Sequence, residues 1–355
     1  MGEIRLMKGN EAIAEAAIRA GADAYFGYPI TPQSEVLEYL MAEKPYERTG
    51  MVVLQAESEI GAINMVFGAA STGKKAITSS SSPGISLKME GISYLAGAEL
   101  PCVVVNVSRG GPGLGTIQPS QADYFQATKG GGHGDYRMIV LAPASVQEMS
   151  DFVKLGFELA FKYRNPVMIL SDGVIGQMME KVELFDPVPR STSFDQSWVT
   201  TGKTKDRSKN IITSLNLDPF KHELHNQKIL NKYKEAEKND VRFEKIDCDD
   251  AEHLFVAFGI SARICEKVVK MARAGGMKVG LLRPITLYPF PSKPIFELAP
   301  KLKSITCVEM NTGQMIDDVR LAVNGILEVG YYGRLGGIIA SPEEVYSHCK
   351  DIFRK

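Results

Sequence analysis

The chain has 355 residues and a mass of 38.9 kDa, which is too long for one ordinary hydrophobic core and predicts two domains. Its 41 Lys and Arg residues are matched by 42 Asp and Glu residues, so no surplus of cations is present to neutralise nucleic-acid phosphates. A composition with 44% hydrophobic and 23% charged residues is typical of a globular protein and excludes a disordered chain. The longest apolar runs are far shorter than the ~20 residues of a membrane-spanning helix, and the first residues lack a secretory signal profile. We therefore expect a cytoplasmic protein that binds neither nucleic acid nor membranes.

The five cysteines are an odd number at wide spacing: Cys102, Cys248, Cys265, Cys307 and Cys349. This pattern is unlike a disulfide framework and unlike the clustered thiolates of a zinc or iron–sulfur site. We predict no metal site on this chain, and any metal cluster that the protein uses is expected on another chain.

Residues 10 to 170 alternate between stretches of helical periodicity and short apolar runs, which predicts a parallel sheet covered by helices on both faces. Asn10 is expected to cap the first helix, which ends at Gly21. The predicted strands are 24–27, 51–54, 76–80, 102–107, 138–141 and 167–170, and the further predicted helices are 58–71, 84–96 and 145–163.

The pattern changes at about residue 185. Residues 186–250 are rich in Lys, Asp and Glu and predict a charged linker with one helix, which starts at Asp218-Pro219 and has a thin apolar stripe at Leu224, Leu230 and Tyr233. A second α/β unit follows, with predicted strands at 254–259, 278–282 and 304–309, a helix that Ser261 opens, and a terminal helix capped by Ser341. The predicted domains are therefore 1–185 and 251–355, with 186–250 between them.

A 27-residue Gly- and Pro-rich connection, 109–135, follows a predicted parallel strand and so lies at the carboxyl edge of the sheet, where α/β folds place ligands. Arg109 directly follows the strand, and its guanidinium could bind a carboxylate through two hydrogen bonds. The alternative is a structural Arg that bonds loop carbonyls. His133 is either a proton donor or merely a residue in a turn. Gly110, which allows a ligand close to the backbone, and Ser82, at a predicted helix start, are further candidates.

Thr31 precedes Pro32 after another predicted strand, which is the pattern of an ordinary helix N-cap. An N-cap accepts a hydrogen bond through its oxygen, and the hydroxyl proton stays free for a ligand at the same edge. The two interpretations are compatible.

Glu57 and Glu59 precede a helix that is apolar nearly all round, which predicts a buried helix with a carboxylate at an apolar interface. A lone ionised carboxylate there is costly unless it is paired or protonated, and such a Glu can share a proton with a nitrogen base. From the residues alone both are candidates, because Glu57 could be the buried acid while Glu59 only complements the helix dipole.

Glu59, followed by Ala62 and Gly68, resembles the pyrimidine-binding helix of thiamine diphosphate enzymes. Three segments resemble the α subunit of the 2-oxoacid:ferredoxin oxidoreductases, especially its branched-chain (3-methyl-2-oxobutanoate) members: YPITPQSE, AESEIGAINMVFGAASTGKKAITSSSSPGISLKMEGI and SRGGPGLGTIQPSQADYFQATKGGGHGD. Residues 254–340 are similar to the transketolase C-terminal-like domain. The resemblance implies an α/β fold, with a parallel-sheet, pyrimidine-type thiamine-diphosphate-binding domain followed by a transketolase C-terminal-like α/β domain.

The resemblance also implies roles for individual residues. Glu59 would hydrogen-bond N1′ of the cofactor aminopyrimidine and favour the imino tautomer, whose nitrogen removes the thiazolium C2 proton. Thr31 and Arg109 match positions that hold the 2-oxoacid, with Arg109 on its carboxylate, and Pro29 and Ile30 match positions beside the cofactor. In this family the oxoacid is oxidatively decarboxylated, electrons pass to iron–sulfur clusters and ferredoxin, and the product leaves as acyl-coenzyme A.

The Gly-Asp-Gly motif, through which thiamine enzymes bind the diphosphate by way of a metal, does not occur in the sequence. The resemblance therefore implies that a β subunit supplies the Mg²⁺ and diphosphate contacts, that a cluster-bearing subunit and a γ subunit complete the complex, and that the isolated chain is inert. The alternatives are the α subunit of the 2-oxoglutarate enzyme, a non-catalytic scaffold subunit, and a nucleotide-binding flavoprotein or acyl-CoA ligase on a similar fold.

Overall fold

The structure is a computed structural model that describes residues 3–190, 194–203 and 205–353. Fourteen strands and thirteen α-helices lie within these residues. The strands are β1 (Glu3–Lys8), β2 (Ala24–Gly27), β3 (Val52–Gln55), β4 (Ala76–Ser80), β5 (Cys102–Ser108), β6 (Ile139–Leu141), β7 (Pro166–Asp172), β8 (Met179–Leu184), β9 (Phe243–Ile246), β10 (His253–Val256), β11 (Val279–Pro284), β12 (Thr286–Tyr288), β13 (Ser304–Glu309) and β14 (Val329–Gly333). The helices are α1 (Gly9–Arg19), α2 (Ser34–Glu43), α3 (Pro45–Thr49), α4 (Glu59–Ser71), α5 (Ser82–Gly97), α6 (Tyr124–Thr128), α7 (Val146–Tyr163), α8 (Gly173–Gln177), α9 (Pro219–Asn239), α10 (Gly259–Ala274), α11 (Ser292–Leu298), α12 (Met315–Val323) and α13 (Pro342–Cys349).

The first sheet has seven strands in the order β12-β6-β7-β5-β4-β2-β3. Six of them are parallel, and β12 from the C-terminal part pairs antiparallel with β6 at one edge. β5 and β7 are buried along their whole length. Val103 and Val105 of β5 pack in a core with residues of α1 and α7, whereas Val104 packs in a core with residues of α4 and α5. Because successive side chains of a strand point to opposite faces, helices cover this sheet on both faces, as predicted.

The second sheet has five strands in the order β14-β13-β10-β11-β9. Its central strands are parallel, and β9, which lies within the predicted linker, pairs antiparallel with β11. Phe255 shares one core with α1 and α7, and Leu254 shares the other core with α4 and α5. The hydrophobic clusters on the two faces thus continue from the first sheet into the second.

Gln121, in the long connection after β5, joins the two sheets by side-chain hydrogen bonds. Its amide donates to Phe258 O at 2.8 Å, and its carbonyl oxygen accepts from Ser261 Oγ at 2.8 Å and from Met310 N at 3.1 Å. Ser261 was predicted to open a helix, but α10 begins two residues earlier at Gly259 and the Ser261 hydroxyl contacts Gln121 instead. The long connection after β5 is therefore held by hydrogen bonds to segments of the second sheet.

Two further predictions about helices are wrong. Asn10 does not cap α1; it lies inside that helix, and its amide donates to Pro32 O at 2.7 Å and to Glu35 at 2.9 Å. The helix α4 is not buried all round, because Ile60 is 50% exposed while Ile63 and Val66 are buried. Only one side of α4 packs on α5 and the sheet, so an apolar side faces outward.

The helix in the predicted linker, α9, starts as predicted, with the Asp218 carboxylate accepting from Phe220 N and Lys221 N. Its buried side is Ile229, Tyr233 and Ala236, whereas Leu224 and Leu230 of the predicted stripe are exposed. Within the described ranges no helix combines the length and apolar character needed to cross a lipid bilayer. The predicted domain limits at 185 and 251 stay a prediction.

Candidate active site

Segments that follow three parallel strands meet at the carboxyl edge of the first sheet. β2, β4 and β5 are neighbours in the sheet, and the chain leaves them at Tyr28, Ser81 and Arg109. The Arg109 guanidinium donates from Nη1 to Thr31 O at 2.9 Å, and the Ser82 hydroxyl donates to Arg109 O at 3.1 Å. The edge therefore brings together three of the four segments in which sequence analysis placed candidate residues.

Glu59 lies in this region and is only 6% exposed as a residue, whereas Glu57 is exposed. Ser58 caps α4 by accepting from Gly61 N at 3.1 Å, which makes Glu59 the first residue of the helix. A Cβ atom added at Gly84 would lie 2.5 Å from Glu59 Oε1, so the carboxylate rests against the first turn of α5. Among the residues that the structure describes, none donates a hydrogen bond to it. Glu59 is thus a buried acid with unused acceptor capacity, beside a helix N-terminus that favours negative charge.

Lys88, one turn after Gly84 on α5, is fully buried. Its ammonium group donates to Thr78 Oγ1 at 2.5 Å and to Ser79 O at 3.0 Å. Burial lowers the pKa of Lys88 to about 7, against the attraction of the Glu59 carboxylate, which raises it. Sequence analysis missed this residue. The signal was the helical spacing of Ile85 and Ile92, which places Lys88 on the buried side of α5.

Arg109 is held partly by loop carbonyls, as the structural alternative predicted. Its Nη1 contacts Thr31 O, its Nη2 donates to Leu114 O at 3.3 Å, and the residue is only 8% exposed. Its Nε is buried and has no hydrogen-bond partner within the described part of the chain. A guanidinium has five N–H donors, so two carbonyl contacts orient this side chain and leave donors for a ligand.

Thr31 is exposed at this edge, but it is not the N-cap that its position before Pro32 predicts. Gln33 is the N-cap of α2, and its fully buried side chain contacts Ser79 and Tyr28 O. Pro29 is exposed and Ile30 is half-buried in the same segment. The Thr31 hydroxyl is therefore available to a ligand, and its carbonyl oxygen fixes Arg109.

Ser82 belongs to a hydrogen-bonded group behind Arg109. Its hydroxyl accepts from Arg109 N at 3.0 Å and contacts Asp123 at 2.6 Å, and the same carboxylate oxygen accepts from Asn106 at 2.8 Å. Burial raises the pKa of Asp123, against these hydrogen bonds. Gly110 is buried, and a Cβ there would lie 2.7 Å from Thr116 Cγ2. Ser82 and Gly110 thus shape the backbone around Arg109.

Several buried polar atoms near this edge have no hydrogen-bond partner among the described residues: Ser80 Oγ, Ser81 Oγ, Asn106 Oδ1 and Arg109 Nε. Buried polar groups in folded proteins are nearly always hydrogen-bonded. Their concentration around one strand edge indicates a site whose ligand provides the missing partners.

His133 lies away from this group. Its carbonyl oxygen accepts a hydrogen bond from Ser93 Oγ at 2.7 Å. Its exposed ring lies edge-on to the Tyr94 ring, with 6.0 Å between the two ring centroids. Ser93 is nine residues beyond Gly84 on α5, which is about 14 Å along a helix axis. The structure places His133 in a turn and not with Glu59, which agrees with the interpretation of His133 as a turn residue.

Exposed apolar side chains flank the site residues. We call four of them the apolar rim: Ile60, Leu87, Leu114 and Ile117, which are 49–84% exposed. The five cysteines are free and buried, and no cluster of three or more His, Cys, Asp or Glu side chains that could hold a metal occurs in the described part of the chain.

These features define a class of protein: an α/β protein with a candidate ligand site at the carboxyl edge of a parallel sheet. Residues 15–245 match the family model described as pyruvate flavodoxin/ferredoxin oxidoreductase, thiamine diphosphate-binding, and residues 251–345 match pyruvate:ferredoxin oxidoreductase core domain II. The chain belongs to the 2-oxoacid:ferredoxin oxidoreductase family, and it is a subunit of an oxidoreductase.

Two curated relatives match over nearly the whole chain. The ketoisovalerate oxidoreductase subunit VorB of Methanothermobacter marburgensis is 49% identical over 98% of this chain and 97% of its own length. The 2-oxoglutarate synthase subunit KorA of Methanocaldococcus jannaschii is 37% identical over 97% of this chain and 98% of its own.

A solved structure has the same fold. The 2-oxoglutarate:ferredoxin oxidoreductase from Magnetococcus marinus, with 2-oxoglutarate, coenzyme A and succinyl-CoA bound, superposes with a TM-score of 0.86 at 27% identity. The match covers 99% of this chain, and this chain spans 65% of the solved one. The predicted fold class is confirmed.

Thiamine diphosphate fits the described residues through its pyrimidine ring. The carboxylate of the buried residue Glu59, and the buried Ser80 and Ser81 hydroxyls that lack a partner among the described residues, suit a ring with an amino group and ring nitrogens.

Proposed function

We propose that this chain forms the pyrimidine side of the active site in a complex that oxidatively decarboxylates a branched-chain 2-oxoacid, 3-methyl-2-oxobutanoate, to acyl-coenzyme A and carbon dioxide with reduction of ferredoxin. The observation that carries the proposal is Glu59, a buried residue whose carboxylate accepts no hydrogen bond from the described residues, beside an exposed apolar rim. Thiamine diphosphate, when bound, supplies the decarboxylation chemistry.

Glu59 holds and moves a proton in this proposal. Its carboxylate would hydrogen-bond the ring nitrogen N1′ and exchange a proton with it, which is general acid–base work. Low exposure strengthens that hydrogen bond, because the surroundings have a lower dielectric constant than water. Pro29 and Ile30, in the segment after β2, would line the cofactor.

Arg109 and Thr31 bind the substrate in this proposal. The two carbonyl contacts orient the guanidinium, and the remaining donors, including the unpartnered Nε, would bind the oxoacid carboxylate. The exposed Thr31 hydroxyl would donate to the same substrate. Arg109 thus combines the structural and the ligand roles that the sequence left as alternatives.

The choice of a branched aliphatic acyl chain has two supports. Leu114, whose carbonyl oxygen contacts Arg109, and Ile117 place exposed apolar side chains in the loop that passes the guanidinium. The relative named as a ketoisovalerate oxidoreductase subunit is also more similar to this chain than the 2-oxoglutarate synthase relative, at 49% against 37% identity.

The site needs partner chains. The sequence has no Gly-Asp-Gly motif, and exposed rim residues such as Ile60 beside the buried Glu59 suit burial by another subunit. We propose that a β subunit covers this edge and supplies the diphosphate and Mg²⁺ contacts. Further subunits would carry the iron–sulfur clusters, ferredoxin would accept the electrons, and coenzyme A would accept the acyl group.

The test is reconstitution of the complex from separately purified subunits, with ferredoxin reduction assayed for 3-methyl-2-oxobutanoate, 2-oxoglutarate and pyruvate. We expect turnover only in the complex, with the branched-chain acid preferred, and loss of turnover in a complex that carries Glu59→Gln and assembles normally. Unchanged turnover in that variant would support a scaffold role instead. Turnover by the isolated chain, or flavin uptake detected by its absorbance, would contradict the proposal outright.

A further inference from the structure

A fully buried lysine is the least expected side chain in the described part of this molecule. Lys88 is 0% exposed, although lysine is almost never fully buried unless it is paired. Its two hydrogen-bond acceptors, Thr78 Oγ1 and Ser79 O, are both neutral. An apolar side chain of similar volume would often be neutral or stabilising at such a position, so the packing of α5 does not by itself call for a charge there.

The group that balances this charge is Glu59. Gly84 and Lys88 are four residues apart on α5 and so lie on one side of that helix. The Glu59 carboxylate rests against Gly84, and its negative charge attracts the Lys88 ammonium group.

Other titratable groups near Lys88 are neutral at pH 7. Burial raises the pKa of Cys102 on β5 to about 12, and burial raises the pKa of Tyr25, which contacts Ser79, to about 12. Among the described residues, Glu59 on α4, which rests against Gly84 one turn before Lys88, is therefore the charged group whose attraction acts on Lys88.

We propose that Lys88 is a positioning residue for Glu59: in its protonated form, Lys88 keeps the Glu59 carboxylate ionised and able to take and return a proton. A carboxyl group in apolar surroundings otherwise retains its proton, and a nearby cation reverses that preference. This inference rests on the proposed function, because it needs Glu59 as the group that exchanges a proton with the cofactor.

The experiment uses the reconstituted complex and two measurements. Infrared difference spectra of the complex without thiamine diphosphate detect the protonated carboxyl band of Glu59, which is assigned by its loss in Glu59→Gln. The second measurement is the rate of hydrogen–deuterium exchange at C2 of bound thiamine diphosphate as a function of pH.

Three substitutions separate charge from packing. Lys88→Met removes the charge and the hydrogen bonds, Lys88→Gln keeps hydrogen-bonding capacity without charge, and Lys88→Arg keeps the charge. Lys75→Met is the matched control, because the Lys75 ammonium is half-buried, donates to Ala20 O and interacts with Asp23 and Glu158 rather than with Glu59.

At pH 6 we expect the protonated Glu59 band in Lys88→Met and Lys88→Gln, and its absence in the unsubstituted complex, Lys88→Arg and Lys75→Met. The pH midpoint of C2 exchange should rise by roughly 1–3 units in the two uncharged variants, as expected when an opposite charge is removed. If Lys88→Met does not assemble, Lys88→Gln decides the question.

An ionised Glu59 and an unchanged pH midpoint in Lys88→Gln would overturn the role of Lys88. If Glu59→Gln still abolished exchange in that case, the proposed function would stand and only this inference would fall. Normal exchange in Glu59→Gln would instead overturn the proposed function itself.

Discussion

Two buried glutamates at the carboxyl edges of the two sheets differ in what their carboxylates contact. Glu309, the last residue of β13, accepts from Met315 N at 2.7 Å, from Ile316 N at 3.0 Å and from Asn311 Nδ2 at 3.0 Å. Glu59 is nearly as buried, at 6% exposure against 1%, but no described residue donates a hydrogen bond to it. The acceptor capacity of the Glu309 carboxylate is thus occupied by donors at the start of α12, whereas that of Glu59 remains free for a ligand. Unused hydrogen-bonding capacity, rather than burial, distinguishes the site.

Arg283 in the second sheet and Arg109 at the edge of the first differ in the same way, in whether their guanidinium nitrogens are all paired. Arg283, on β11, donates from Nη1 and Nη2 to Glu148 at 2.7 and 2.6 Å and from Nε to Glu244 at 2.9 Å. Arg109 contacts two carbonyl oxygens, and its buried Nε has no partner among the residues that the structure describes. The first is a structural ion pair between segments, whereas the second retains donors for a ligand.

The largest expected effect is on the glutamates. Glu59→Gln should lower turnover of the reconstituted complex by about 10²–10⁴-fold, the usual contribution of general acid–base catalysis, with little change in thermal unfolding. Glu309→Gln should do the reverse and destabilise the fold by about 1–3 kcal/mol, because buried N–H donors lose a charged acceptor, with turnover retained. Initial rates and calorimetric unfolding of both variants check the pair. A stability loss in Glu59→Gln equal to that in Glu309→Gln would erase the distinction.

The arginines should differ in the same way. Arg109→Met should raise KM for the oxoacid by about 10–100-fold, since hydrogen bonds to charged groups contribute about 1.5–3 kcal/mol. Arg283→Met should leave KM unchanged and lower stability by about 2–3 kcal/mol, less than for a fully buried pair because Glu244 is half exposed. Steady-state kinetics with urea unfolding tests both. An effect of Arg109→Met on thiamine diphosphate affinity alone would contradict the carboxylate assignment.

Asp172 sharpens the comparison, because it lies at the edge of the first sheet but is satisfied like Glu309. It accepts from Val174 N and Ile175 N and caps α8, and burial raises its pKa from 3.8 to about 6. Since the folded state then binds this proton more tightly than the unfolded state, the linked stabilisation is complete below pH 3.8 and is lost as the pH rises through 6.

Asp172→Asn should therefore remove a pH-dependent difference in unfolding free energy of about 2–3 kcal/mol between pH 7 and pH 3.8. Chemical denaturation of both proteins across that range measures it. Parallel profiles for the variant and the unsubstituted protein would show that Asp172 does not titrate with folding.

The smallest expected effect concerns substrate choice. Leu114→Lys places a second cation beside Arg109 and should shift the ratio of kcat/KM values toward 2-oxoglutarate by about tenfold, which corresponds to ~1.4 kcal/mol. Leu217→Lys is the matched control, since Leu217 is equally exposed in the segment before α9. A similar shift in both variants would exclude a local role for Leu114.

The sequence predicted the interior of the fold well. The strands β2, β4 and β13 have the predicted limits, and each is buried over most of its length. The caps Asp218 and Ser341 were also correct, since each accepts a hydrogen bond from the next turn of its own helix. Edge strands such as β1 and β8, which pair only with each other, were missed. Their side chains are largely exposed, so they have no continuous apolar run.

Local patterns failed where a side chain found a distant partner. Asn10 and Ser261 resemble helix caps in the sequence, but the first contacts Pro32 and the second contacts Gln121. Lys88 was not singled out from the sequence, because its burial depends on contacts with Thr78 and Ser79 of β4.

The sequence by itself determined the α/β class, the alternation of helices with parallel strands, and the edge at which Thr31 and Arg109 lie, because apolar periodicity and strand direction are properties of local segments. Only the tertiary structure decided that Glu59 is buried with unused acceptor capacity, that Glu57 is exposed, and that Lys88 is fully buried one turn after the glycine against which Glu59 rests. Those outcomes depend on which hydrogen bonds and charges distant segments supply, and one segment does not encode the groups that another brings to it.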